Sequence, residues 1–137
     1  MVGLTSDQRL VCFNENSPSQ ATNIFTITVL TAGDTTSVGI DYRVQDRRLY
    51  GVGNAGGIYL LDVSNAIATH VNRLSVALSG ASFGVDFNPS ADRLRIVIDN
   101  GQNLRHDVNA GGLTATDDPL DYPLGTLNTV GPTAIGT

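Results

Sequence analysis

Apolar and polar residues alternate along much of this chain with the two-residue period of half-buried β-strands. Residues 38–42 carry Val, Ile and Tyr at every second position, and residues 94–98 carry Leu, Ile and Ile in the same way. Between such stripes stand short runs of Gly, Asn, Asp and Pro, for example residues 54–57 and 88–92, which are typical of tight turns. The pattern predicts short strands joined by tight turns, and therefore an all-β fold.

The chain also repeats itself at a spacing of 45 residues. Residues 37–69 and 82–114 align without a gap and are identical at 10 of 33 positions. A weaker copy opens the chain, where residues 7–10 match residues 46–49. Repeats of about 45 residues with about four short strands each are typical of β-propeller blades. A β-sandwich of similar strand count is the alternative, although sandwiches seldom show this much internal identity.

The length of the chain limits how many such units it holds. We divide its 137 residues, as a single domain, into units over about 1–34, 35–79 and 80–123, followed by a closing strand over 124–131. Closed propellers typically have four to eight blades. About three four-stranded blades would therefore leave an incomplete ring, and we expect another chain to complete it.

Composition supports the β prediction and excludes several partners. The chain has one Glu, no Lys, 15 Gly and 5 Pro, which argues against helices. Its net charge is −5 and it has no basic tract, so we expect no nucleic-acid partner. We also expect no membrane insertion and see no signal peptide. Cys12 is the only cysteine, which excludes an internal disulfide and suggests a small core residue.

Several runs resemble an uncharacterised bacterial family that is known only as a domain of unknown function. They are G-I-D-Y-R at 39–43, L-Y-G-V-G at 49–53, S-F-G-V-D-F-N-P at 82–89, D-R-L-R-I-V at 92–97 and N-G-Q-N-L-R at 100–105. The resemblance implies propeller-type repeats and an extracellular or cell-surface location. It implies no activity and no catalytic residues. Family domains are nearly twice as long, so this chain resembles a shortened member, which favours assembly between copies.

Asp41 and Asp86 form the sharpest candidate binding site. They occupy the same place in two repeats, on the first strand of the unit, which lines the central channel of a propeller. Asn88 could join them, and Asp99 is a further candidate metal ligand. Ca²⁺ is the cation that such oxygen donors would take. The alternative is that each Asp caps backbone N–H groups or pairs with an Arg of its own repeat.

Other candidate chemistry in the sequence is weaker. The run at 99–103 is rich in oxygen donors, but it lacks the spacing of an EF-hand loop and suits a hairpin turn. The only histidines, His70 and His106, lie in different units, and no G-x-S-x-G motif accompanies them. We therefore predict no catalytic residue. Arg residues interleave with Asp, which favours ion pairs within and between blades.

Three functions are open at this point. The first is a non-enzymatic, exported β-repeat module that forms homo-oligomers or binds a partner. The second is a metal-dependent propeller hydrolase of the lactonase kind, with carboxylates in a central channel. A single Glu and about three blades provide few ligands for such a site. The third is a truncated piece of a longer propeller. We favour the first.

Overall fold

The fold consists entirely of β-strands and their connections. A computed structural model describes residues 1–120, apart from the side chains of residues 23 and 24. These residues form 11 strands and no α-helix, in three antiparallel sheets that succeed one another along the chain. No helix able to cross a membrane occurs within them. The all-β prediction is confirmed, and the predicted closing strand over 124–131 lies outside the described residues.

In each sheet, strands that follow one another in sequence lie side by side. The first sheet contains β1 (Val2–Leu4), β2 (Arg9–Asn14) and β3 (Ser17–Thr26). The second contains β4 (Ser37–Tyr42), β5 (Leu49–Gly53), β6 (Gly57–Leu61) and β7 (Ala68–Arg73). The third contains β8 (Phe83–Asn88), β9 (Arg93–Ile98), β10 (Asn103–His106) and β11 (Thr114–Thr116). This order is that of propeller-like blades.

The turn between the first two strands of every sheet uses the same backbone conformation. One residue at the end of this turn, one or two positions before the next strand, is left-handed in all three sheets, with φ of 67° at Gln8, 57° at Arg47 and 50° at Asp92. None of the three is glycine, although this region of φ favours glycine. The shared conformation extends the 45-residue repeat to the first sheet, where sequence identity is weak.

The first sheet has three strands in the described part of the chain, where the repeat predicted four. After β3 the chain crosses to the second sheet instead of turning back. Thr28 forms a parallel bridge with Ile67, its N–H donates to the carbonyl of Ala66, and its own carbonyl accepts from the N–H of Ala68. The segment that would start a fourth strand is therefore committed to the neighbouring sheet.

The second sheet is packed between the other two. One face contributes Tyr50, Val52 and Ile58 to a core shared with the third sheet, and the other contributes Leu49, Tyr59 and Leu61 to a core shared with the first. All five residues of β5 are buried. We call the face of each sheet that is turned toward the next sheet in sequence its forward face. The forward face of the second sheet carries Tyr50, Val52 and Ile58.

The innermost strands β4 and β8 approach each other closely, and Gly39 makes the approach feasible. A Cβ at Gly39 would overlap the side chain of Val85. We expect Gly39→Ala to lower the free energy of unfolding by about 1–3 kcal/mol, because the two sheets must separate or Val85 must leave its rotamer. Chemical denaturation measures the change.

Gly3→Ala is the matched control, since Gly3 also lies in a strand and its φ is not in the left-handed region. A Cβ there would lie 3.3 Å from the ring of Phe13, a contact that a small rotation relieves. Equal losses in the two variants would contradict the special role of Gly39.

Candidate functional site

The two carboxylates predicted from the repeat lie together in the structure. Asp41 is on β4, and its Oδ2 accepts a hydrogen bond of 2.7 Å from the backbone N–H of Phe87 on β8. The neighbouring carboxyl group of Asp86 lies within hydrogen-bonding reach of Asp41. Asp41 therefore caps an N–H at the inner edge of the next sheet, as in the structural alternative considered for these residues.

The environment of this pair favours the protonated form of Asp86. Partial desolvation raises the pKa of Asp86, and the nearby charge of Asp41 raises it further. The pair thus resembles other pairs of adjacent carboxylates, in which the proximity of like charges makes one group harder to ionise. Chemically, the two groups can share a proton or meet a cation at the seam between β4 and β8.

Asn88 and Asp99 each accept hydrogen bonds from nearby backbone N–H groups. Asn88 Oδ1 accepts from the backbone N–H of Ser90 at 3.0 Å and so shapes the turn after β8. Asp99 lies beyond the opposite end of β9, where its Oδ1 accepts from the backbone N–H of Ala81 at 3.0 Å. Bonds from the N–H groups of Ala81 and Ser82 lower the pKa of Asp99.

The described residues do not assemble a larger set of metal ligands. Within residues 1–120 there is no group of three or more His, Cys, Asp or Glu side chains arranged to hold a metal ion. Ca²⁺ takes six to eight oxygen ligands. Asp41 and Asp86 alone would leave most of those positions to other groups, and Asp99 is too far along the sheet to join them.

A buried ion pair between the second and third sheets involves Arg43, which the sequence placed only in a general set of ion-paired arginines. Its guanidinium is buried and forms a two-pronged ion pair with Asp92, with an Nε to Oδ1 distance of 2.8 Å. It also donates to Asn109 Oδ1 at 3.0 Å and lies 3.3 Å from Asp46. Arg43 therefore connects the end of β4 to two turns of the third sheet.

The third sheet repeats the strand register of the second but not the chemistry of its forward face. Tyr50, Val52, Ile58 and Leu60 of the second sheet correspond, 45 residues later, to Arg95, Val97, Asn103 and Arg105. Asp117 lies between the two arginines, 2.6 Å from Arg95 and 2.9 Å from Arg105. A face that is apolar in the second sheet is thus charged and internally ion-paired in the third.

The two histidines have structural surroundings. His106 is fully buried; its Nε2 lies 2.9 Å from Asn72 Oδ1 and its Nδ1 lies 2.9 Å from Thr114 Oγ1. Burial lowers the pKa of His106, which favours the neutral ring. His70 is exposed and packs edge-on against Tyr59. Cys12 lies on β2 and is only half-buried, so the prediction that it is a small core residue is wrong.

Comparison with known proteins identifies the family. The family model described as Domain of unknown function (DUF4394) matches residues 9–137. The chain belongs to this family. Neither a curated protein nor a solved structure matches it. Membership confirms the family resemblance inferred from the motifs, and it assigns no activity to DUF4394.

The first prediction from this site concerns the sheet contact of this DUF4394 chain. We expect Arg43→Gln to lower the free energy of unfolding by about 3 kcal/mol, because it leaves Asp92 without its buried partner. Arg9→Gln is the control, since the pair of Arg9 with Asp7 is exposed and screened by solvent, so that its loss should change stability much less. Urea denaturation distinguishes the two, and similar losses would contradict the assignment.

A second prediction follows from the opposite pKa shifts of two aspartates. Because the pKa of Asp86 is raised in the folded protein, its ionisation reduces stability at neutral pH, and stability returns as the pH falls through the raised value toward 3.8. Asp86→Asn should therefore raise the melting temperature at pH 7 and remove this part of the pH dependence.

Asp99→Asn provides the contrast, because the pKa of Asp99 is lowered and its charge contributes stability that is present above pH 3.8. Asn already occupies the corresponding position 54 and accepts from the backbone N–H of Thr36. The melting temperature at pH 7 should fall in this variant. Calorimetry from pH 3 to 8 measures these melting temperatures. A lower melting temperature at pH 7 in both variants would refute the assignment at Asp86.

Proposed function

We propose that this protein is a non-enzymatic, exported β-repeat module that associates with a second copy of itself through the edge of β3 that no strand of residues 1–120 covers. The observation that carries the proposal is the three-stranded first sheet. In the described part of the chain, β3 pairs with β2 on one side and with no strand on the other. A further strand would complete the four-stranded pattern of the other sheets.

The sequence of β3 suits such pairing. It is ten residues long, contains no charged residue, and exposes all of its side chains from Ser17 to Thr22. Exposed edge strands are templates for another chain, and proteins usually blunt them with charge, shortness or proline. Pro18 removes one donor near the start of β3, which leaves residues 19–22 as the segment available for pairing.

The edges of the other sheets are less suited to pairing. The outer strand β11 of the third sheet has only three residues. On the outer strand β7 of the second sheet, the side chain of Asn72 is hydrogen-bonded to the third sheet, and Arg73 forms an ion pair with Asp34. Short or occupied edges resist addition of a strand.

The charged forward face of the third sheet also directs association toward the first sheet. Arg95 and Arg105 would have to be desolvated together with Asp117 for another sheet to cover them, which carries a large free-energy cost. Antiparallel pairing of β3 with its symmetry copy instead forms a closed dimer with one continuous six-stranded sheet. Such a dimer also meets the expectation of a homo-oligomer without requiring a closed ring.

The exported location and the non-enzymatic role are supported by observations other than the edge of β3. Export follows from the resemblance of the motifs to a family of exported or surface proteins. The non-enzymatic assignment draws support from Asp41, whose carboxylate caps the N–H of Phe87 and so has a structural task.

The mass in solution tests the proposal. We expect light scattering after size exclusion to show a dimer for the unchanged protein and a monomer for Ala21→Lys, because a lysine on each β3 places like charges against each other across the new edge. Ala110→Lys is the matched control: it makes the same substitution at an exposed turn of the third sheet and should remain dimeric.

The same measurement with Ca²⁺ and with EDTA separates edge pairing, which needs no cation, from association bridged by calcium. A dimer that EDTA dissociates would contradict the proposed edge. A protein that stays monomeric at millimolar concentration, or an Ala21→Lys variant with unchanged mass, would overturn self-association through β3.

A further inference from the structure

The ion pairing of the arginines is uneven. The chain has eight arginines, and six of them form an ion pair with an aspartate in the described residues: Arg9, Arg43, Arg73, Arg93, Arg95 and Arg105. Arg47 and Arg48 have no carboxylate within 4.0 Å in that part of the chain. The two guanidinium groups without such a partner are therefore adjacent in sequence, and both are exposed.

Both arginines line the same groove. It lies at the end of the second sheet where the turn between β4 and β5 meets the turn between β6 and β7, and its volume is about 540 Å³. Its apolar lining consists of six residues: Tyr42, Leu49, Leu60, Leu61, Val63 and Ile67. Three of these are among the most exposed large apolar residues of the protein, at 43% for Tyr42, 41% for Val63 and 42% for Ile67.

We propose that this groove binds a small molecule with an apolar body and a carboxylate head. The apolar lining would cover the body, and the guanidinium groups of Arg47 and Arg48 would meet the head. Arginine pairs with carboxylates through two parallel N–H donors, which makes it well suited to this task. The volume lies within the range of small-molecule sites, roughly 300–1,000 Å³.

The one acid in the groove does not occupy the arginines. Asp62 Oδ1 accepts from the backbone N–H of Ser64 at 2.8 Å and from its hydroxyl at 2.5 Å. These bonds lower the pKa of Asp62 and hold its carboxylate on its own turn. The rim therefore carries two guanidinium groups and one carboxylate, and its local charge is positive in a protein whose net charge is −5. Charge complementarity at this place selects an anionic head.

Decanoate and decanol serve as the probes, since they share a chain and differ in the charge of the head. Isothermal titration calorimetry on the full chain should show saturable binding of decanoate. Arg47→Gln/Arg48→Gln should weaken it by about tenfold, because two exposed ion pairs are lost. The affinity for decanol should change by less than about twofold.

The variants are chosen to preserve the fold. Glutamine already occupies the position that corresponds to Arg47, as Gln8, and adopts the same left-handed φ. Arg9→Gln is the matched control, because Arg9 corresponds to Arg48 in the first sheet and lies outside the groove. It should bind decanoate as the unchanged protein does. Circular dichroism and melting temperature verify that each variant is folded.

Four results would overturn the inference. Decanoate could fail to bind the unchanged protein, or bind the double variant with undiminished affinity. Arg9→Gln could weaken the binding of decanoate as much as the double variant does, which would indicate a general charge effect. The double variant could lose its affinity for decanol as well as for decanoate, which would indicate that the arginines support the shape of the groove. None of these results bears on the mass of the protein, which tests the β3 edge separately.

Discussion

The structure depends on covering both faces of the second sheet. Val52 and Ile58 are fully buried on its forward face, and Tyr59 is 1% exposed on the opposite face. A sheet that is apolar on both sides is stable in water only when it is packed on both sides. The first and third sheets provide that cover, so their positions follow from the second sheet rather than from their own edges. The short connections of the chain keep all three sheets in sequence order.

Apolar packing alone would let the sheets slide, and buried polar groups limit that freedom. Asp34 is buried and accepts from the N–H of Ala55 and the hydroxyl of Tyr59, each at 2.6 Å, and it pairs with Arg73 at 3.2 Å. All three partners of Asp34 belong to the second sheet, so Asp34 fixes the connection that leads into that sheet, whereas Arg43 joins the second sheet to the third. Moving the partner away from such a group would cost free energy, because a buried polar group without a partner has lost its hydration and gained no hydrogen bond in its place. The polar contacts therefore select one arrangement among several that would bury similar area.

Local patterns in the sequence predicted the strands, the turns and the proximity of Asp41 and Asp86, because alternation and the 45-residue repeat are properties of short segments. The contact of Arg43 with Asn109 joins residues 66 positions apart and depends on how two sheets stack, which no local pattern contains. The sequence did not predict that the first sheet has only three described strands, because no turn motif marks the point near Thr28 where the chain crosses to the second sheet. Arg47 and Arg48 look like the paired arginines in sequence, and only the fold places them where no described carboxylate faces them.

The repeat changes its chemistry between the second and third sheets, although the strand register is kept. Arg95 and Arg105 stand where Tyr50 and Leu60 pack against the next sheet, and Asn88 stands where Arg43 would reach across to it. The third sheet therefore repeats the register of the second, while the side chains at these positions of its forward face are charged and paired with one another. A further sheet could cover these side chains only by removing Arg95, Arg105 and Asp117 from water together, so the third sheet keeps the strand register of the repeat without its apolar packing surface.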